Sequence, residues 1–168
     1  ITPIDVLRRA GLEVAVAGLS ARTVTGAHGV TFQADLLLEN YHDLPDAVVL
    51  PGGMPGAKNL GESKKVAEIV KNMNSQKKVI GAICAAPALV LVPTGILEGR
   101  KATCYPGFEK NFPATVAFSP DRVVVDGHVI TSRGPGSALE FALELVEHLA
   151  GRETSEALSE GLLARSRN

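Results

Sequence analysis

The sequence predicts a doubly wound α/β sandwich, and three observations carry that prediction. The runs Asp46-Ala-Val-Val-Leu-Pro51 and Val79–Ile83 are apolar throughout, as parallel strands covered on both faces are. Each precedes a segment of helical period: Val66, Ile69, Val70 and Met73 after the first, Ala85 to Val92 after the second. Further on, Asp126-Gly127-His128 separates two β-branched runs, a strong hairpin signal, and a long amphipathic stretch follows. A single domain over residues 1–168 is expected, without repeat or linker.

The elements follow in order. Thr2 as N-cap and Pro3 at the first helical position start a helix that runs through Leu7 and Arg9 and stops at Gly11. Leu12 to Ala17 reads as a strand. Arg22–Thr25 and Val30–Phe32 read as a short β-ribbon around Gly26 and Gly29. After the two buried strands and their helices, Ala102–Tyr105 is a further short strand. The hairpin joins Arg122–Val125 to Val129–Ser132. A helix over Gly136–Leu149 carries Leu139, Leu143, Val146 and Leu149 on one stripe, and Glu153–Ala164 forms a last helix.

Composition narrows the function. Hydrophobic residues are 45% and charged residues 21% of the chain, an ordinary globular balance. A formal charge of -1 gives no reason to expect nucleic acid or an anionic membrane as partner. No apolar run approaches the roughly 20 residues that span a bilayer, and no secretory signal opens the sequence. Two cysteines without a pairing pattern argue against a disulfide scaffold and for a reducing, cytoplasmic setting. No Cys/His cluster has metal-ligand spacing.

The chemistry centres on Cys84. It stands between Val79–Ile83 and an alanine-rich run, a strand–nucleophile–helix elbow with cysteine in the place of the serine of G-x-S-x-G. A sharp turn there accounts for small neighbours, Gly81, Ala82, Ala85 and Ala86, and a helix N-terminus favours thiolate. The pattern alone leaves two readings open, a nucleophile or a buried small hydrophobe. Cys104 alternates with Thr103 and Tyr105 and reads as a buried structural thiol.

Five stretches, PIDVLRRAGLEVAVAGL, VVLPGGMPGAKNL, VIGAICAAPALVL, KATCYPGFEK and ITSRGPGSALEFALELVEHLAG, cover almost the whole chain in order. Through them the chain resembles the ThiJ/PfpI superfamily, in the DJ-one-like branch of the Parkinson-disease protein deglycase. The resemblance implies a flavodoxin-like three-layer α/β/α sandwich with a mostly parallel central sheet, a small β-ribbon, and a homodimer. It implies Cys84 as the nucleophile, with backbone donors at Gly53 and Ala85. Gly52, Tyr105, Gly134 and Pro135 would line the pocket. Arg9 and His28 match basic groups near the dimer interface, with plain solvated charges as the alternative. Arg133, in the Ser132–Gly136 signature, is expected to pair with a buried carboxylate.

The activity so implied is cofactor-independent and metal-free. It acts on a small reactive carbonyl or a glycated adduct, as a glyoxalase III-like enzyme or protein deglycase turning methylglyoxal into lactate. The alternative is a redox-sensing, stress-protective protein or chaperone whose cysteine oxidises to sulfinic acid. A cysteine peptidase ranks lower, because Ala85 stands where the protease-like branch has histidine. Glutamine amidotransfer fails for want of a His-x-Glu pair. Some branch members carry histidine where Tyr105 stands, and tyrosine is a poor general base at neutral pH. The resemblance also places a glutamate just ahead of Pro3, together with a first strand. Both are expected upstream of Ile1, in a segment of about 20 residues.

Overall fold

The structure, a computed structural model, describes residues 1–164. Helix α1 (Thr2–Arg9) has Pro3 in its first turn, where the missing N–H is no loss. Thr2 is already helical and makes no cap. Ile1 takes the N-cap position, so the expected threonine cap is not formed. Gly11 ends the helix at φ 77°, its N–H donating to the Arg8 carbonyl at 3.0 Å.

Residues 12–16 do not form the expected ladder; only β1 (Ala17–Gly18) pairs. Strand formation needs a hydrogen-bonded neighbour as well as suitable residues; here backbone bonds form only at the two ends, Leu12 N–H on the Leu7 carbonyl and the Asp35 amide on the Val16 carbonyl at 2.8 Å, and side chains hold the rest. Arg8 donates to the Val14 carbonyl at 2.8 Å and to Asp35 Oδ2 at 3.0 Å, while Asp35 Oδ2 accepts from the Val16 amide at 2.8 Å. The β-ribbon forms as expected, β2 (Thr23–Thr25) antiparallel to β3 (Thr31–Gln33). Strand β4 (Leu36–Leu37) then returns parallel to β1.

The main sheet is built from β5 (Ala47–Leu50), β6 (Val79–Ile83), β9 (Val123–Asp126) and β10 (Val129–Ser132). Helices α2 (Gly56–Glu62) and α3 (Lys64–Ser75) lie between β5 and β6, and β7 (Lys101–Ala102) and β8 (Ala117–Phe118) between β6 and β9. The spatial order is β5-β6-β10-β9, the first three parallel and the last antiparallel through the predicted hairpin. α4 (Ala138–Ala150) and α5 (Arg152–Gly161) complete the chain.

Alternating side chains divide the core by sheet face. Ile80, Ala82 and Val129 meet Val66, Val70 and Met73 of α3 on one side. Ile83 and Ile130 meet Val6 and Leu7 of α1 and Phe141, Leu145 and Val146 of α4 on the other. This is the flavodoxin-like three-layer α/β/α sandwich with a mostly parallel sheet.

Two expectations are modified near the thiol. The segment after Cys84 is helical as expected, but only its first turn is α-like, with the Leu89 N–H on the Ala85 carbonyl at 3.0 Å. Pro87–Leu91 winds as a π-turn, with the Val92 N–H on the Pro87 carbonyl, and a 3₁₀ turn follows over Val92–Thr94. Wider winding fits the packing below it: a Cβ on Gly61 of α2 would stand 2.2 Å from the Leu89 carbonyl oxygen. The expected strand over Ala102–Tyr105 contributes only Ala102 to a ladder. The last helix spans Arg152–Gly161, ending three residues before the expected Ala164.

Candidate functional site

β5, β6 and β10 run parallel, so their carboxyl ends share one edge, where ligands of open α/β sheets bind. β6 ends at Ile83, and Cys84 follows at φ 66°. A non-glycine residue in the left-handed region is uncommon, and here it turns the chain sharply out of the strand. Two backbone bonds hold it there. The Cys84 amide donates to the Ser132 carbonyl at 2.8 Å, and the Cys84 carbonyl accepts from the Tyr105 amide at 2.8 Å.

The glycine loop after β5 closes one side. A Cβ on Gly52 would stand 2.4 Å from the Cys84 Cβ, 2.7 Å from the Ile83 carbonyl oxygen and 3.1 Å from the Ala85 nitrogen. Gly53 meets no such obstacle but has φ 84°. Gly52 is therefore required by space and Gly53 by conformation. Among the described residues, neither the Gly53 nor the Ala85 amide donates to a backbone carbonyl.

Tyr105, tied through its amide to the Cys84 carbonyl, is 44% exposed, its ring at a T-shaped angle to Phe108 with centroids 6.5 Å apart. Gly134 sits against it: a Cβ there would be 3.1 Å from Tyr105 Cδ2. The Ser137 hydroxyl fixes this loop, accepting from the Gly134 amide at 3.1 Å and lying 2.7 Å from Ser132 Oγ. Pro135 is exposed at the outer end of the same loop.

Cys84 is partly exposed, whereas Cys104 is fully buried. Burial first, and then the Glu109 carboxylate, push the Cys104 thiol up to about 12, against a downward pull from Arg133. Cys104 is thus an inert neighbour at neutral pH, in keeping with its reading from sequence.

Not every candidate joins this group. Arg9 pairs with Asp5 at 2.8 Å on the exposed face of α1, and His28 sits in the ribbon turn. Arg133 does not take the expected carboxylate. It donates to the Pro120 carbonyl at 3.3 Å and stands 6.0 Å above the Phe118 ring. Side chains on that exposed rim have no buried acid within reach, which is why the ion pair fails to form. Sequence reasoning also missed the Ser132 carbonyl as the anchor of Cys84, since a backbone acceptor leaves no residue-type signal. Among the described residues no cluster of three or more His, Cys, Asp or Glu could hold a metal.

Comparison with known proteins gives a consistent picture. The DJ-1/PfpI family description matches residues 1–148. Protein DJ-1 homolog A of Arabidopsis thaliana is 43% identical over 98% of this chain, which spans only 43% of that relative's length. A Caenorhabditis elegans protein named glutathione-independent glyoxalase DJR-1.2 is 39% identical over 92% of this chain and 82% of its own. The solved structure of oxidised Toxoplasma gondii DJ-1 superposes with a TM-score of 0.91 at 40% identity, covering 98% of this chain and 90% of its own.

Proposed function

The chain belongs to the DJ-1/PfpI family, and on that premise we propose that it is a cysteine-dependent enzyme acting on reactive carbonyls or their early adducts with amines and thiols. The observation that carries the reading is Cys84 itself, a partly exposed thiol held at φ 66° at the end of a buried strand. The nematode relative whose name specifies a glutathione-independent glyoxalase supports it.

With methylglyoxal, the Cys84 thiolate adds to the aldehyde carbon and forms a hemithioacetal. The proton on that carbon moves to the neighbouring carbon through an enediol, leaving a thioester. Water then cleaves the thioester to lactate and frees the thiol. The aldehyde carbon is oxidised as its ketone neighbour is reduced, so no outside oxidant or reductant enters. The Gly53 and Ala85 amides are the donors assigned to the developing oxyanion. The proton transfers fall to the glutamate that the resemblance places ahead of Pro3.

Lactate formation without glutathione, followed by proton NMR, tests this. Turnover must vanish in Cys84→Ala and must exceed that of a free thiol at equal concentration. An intact protein that makes no lactate would sink the proposal.

A second reading, a redox sensor or chaperone, is favoured by one observation: a solved relative is described as oxidised. Cys84 would then be the oxidised thiol, with Cys104 shielded. A peptidase remains the weaker alternative, since Ala85 offers no imidazole beside the sulfur. We place the protein in the cytoplasm as a homodimer on the strength of the resemblance, and sedimentation at micromolar concentration tests the dimer. No helix among the described residues is long and apolar enough to cross a membrane.

A further inference from the structure

We infer that the sheet holds an open slot for one more strand, between residues 13–15 and β5, and that this slot binds an extended, uncharged segment of branched apolar residues lying parallel to β5. The occupant is the stretch of polypeptide that leads into α1, and the slot accepts the same chemistry as a separate peptide.

Backbone alternation defines one wall. The Val79 amide donates to the Asp46 carbonyl at 3.1 Å, and Ala47 stands opposite Val79. Residues 46, 48 and 50 therefore turn their amides and carbonyls toward β6, and Ala47 and Val49 turn theirs outward. No strand among the described residues lies on that side of β5, and no backbone bond there reaches Ala47 or Val49.

The facing wall shows the same alternation. The Val16 amide and carbonyl both bond to Asp35, and the Val14 carbonyl accepts from Arg8. Residues 14 and 16 thus face Asp35, while Glu13 and Ala15 face the other way and have no backbone bond among the described residues.

The side chains of both walls already belong to one sheet. Leu12, Val14 and Val49 pack on the core of α1 and α4, and Leu19 and Val48 on the core of α3. Ala47, Val48 and Val49 are only half-buried, although β10 is buried from Val129 to Ser132. Both faces of β5 are covered, so its exposure enters by the edge. Edge strands normally carry lysine, proline or a bulge against pairing, and Ala47–Leu50 has none.

The source of the occupant follows from α1. That helix lies on one sheet face and runs directly into residues 12–18, which makes it the second half of a strand–helix–strand crossover. The first strand of such a unit is parallel to the second, and the slot is the open place beside it. A strand enclosed on both edges and both faces is apolar throughout and about five or six residues long. Its carboxyl end leaves the sheet at the edge that carries Cys84.

The test has two arms. In the first, a fluorescein-labelled hexapeptide of valine, isoleucine and alanine, flanked by lysines for solubility, is titrated into the 168-residue chain. Saturable anisotropy is expected, with hydrogen exchange at the Ala15 and Val49 amides slowed by about tenfold or more. The peptide methylated on its central amides should bind about tenfold more weakly, because shape is kept and ladder donors are lost. In the second arm the protein carries the residues encoded ahead of Ile1. Both amides should then be protected without peptide, and the labelled peptide should no longer bind. Free exchange at either amide in the longer protein, or equal peptide binding by both forms, overturns the inference, as does a folded shorter chain that binds no peptide. Protection that appears only with rising protein concentration would give the edge to a second copy and overturn it too. Lactate formation and Cys84 alkylation are read separately, so this slot and the carbonyl chemistry stand or fall independently.

Discussion

A Cβ on Gly52 would stand 2.4 Å from the Cβ of Cys84, closer than real Cβ atoms approach anything. The loop after β5 and the elbow after β6 therefore hold each other in place by backbone contact. Gly52→Ala is expected to displace the thiol, slowing iodoacetamide alkylation of Cys84 by about tenfold or more and lowering Tm. Gly53→Ala meets no obstacle. It should lose only the ~1–2 kcal/mol of a left-handed alanine, measured by urea unfolding. Equal effects of the two substitutions on alkylation would contradict this division of roles.

Cys104 should not react in the folded protein. Burial holds its thiol up at about 12, so thiolate is negligible at neutral pH. Peptide mapping after iodoacetamide treatment at pH 7.5 should find label on Cys84 alone, with Cys104 modified only after unfolding in urea. Label on Cys104 first would reverse the assignment.

Gly61 marks a second contact without slack. Its missing Cβ would sit 2.2 Å from the Leu89 carbonyl oxygen, so α2 packs directly on the π-turn. Gly61→Ala should cost ~1–3 kcal/mol in urea unfolding through overpacking. Because Leu89 lies in the segment that leaves Cys84, alkylation should slow as well.

At the other end of the sheet, His128 lies 2.9 Å from Asn74 Oδ1, and Arg100 donates to the same oxygen at 3.5 Å. Burial, then Arg100 and Lys77, lower the imidazole below its usual range, with Asp126 opposing. The unfolded chain thus binds this proton more readily than the folded one. The contribution is intact above the unfolded value of about 6.5 and is lost as pH falls toward the lower folded value. His128→Gln should reduce the drop in Tm between pH 7.5 and pH 5.5 by about 1–2 °C. A larger drop in the variant would show the sign to be wrong.

What could be read in advance was what residue type enforces locally. Val79–Ile83 is apolar on both faces because both faces are covered, and Asp126-Gly127-His128 supplies a turn with Gly127 at φ 62°. The sharp turn at Cys84 was legible from the elbow pattern. The size of Gly81 was misattributed to that turn: a Cβ there would meet Phe141 and Leu145 of α4 at 3.0 Å. The π-turn was illegible because an i→i+5 pattern leaves nearly the same apolar spacing as i→i+4. Residues 12–16 have strand-like composition, but a ladder belongs to two segments and cannot be read from one. Arg133 was assigned a carboxylate that tertiary placement does not provide.

The conformation of Cys84 sets its chemistry against its stability. At φ 66° glycine is the residue the backbone prefers, and any side chain is held there at the expense of the fold. Cys84→Gly should therefore melt higher than Cys84→Ala, which keeps the strain and loses the sulfur, by about 2–4 °C. Drift under selection for a robust fold alone would carry this site toward glycine, and a lineage released from any demand on the thiol should show that replacement early. A cysteine at such a position costs the fold what a glycine there would not.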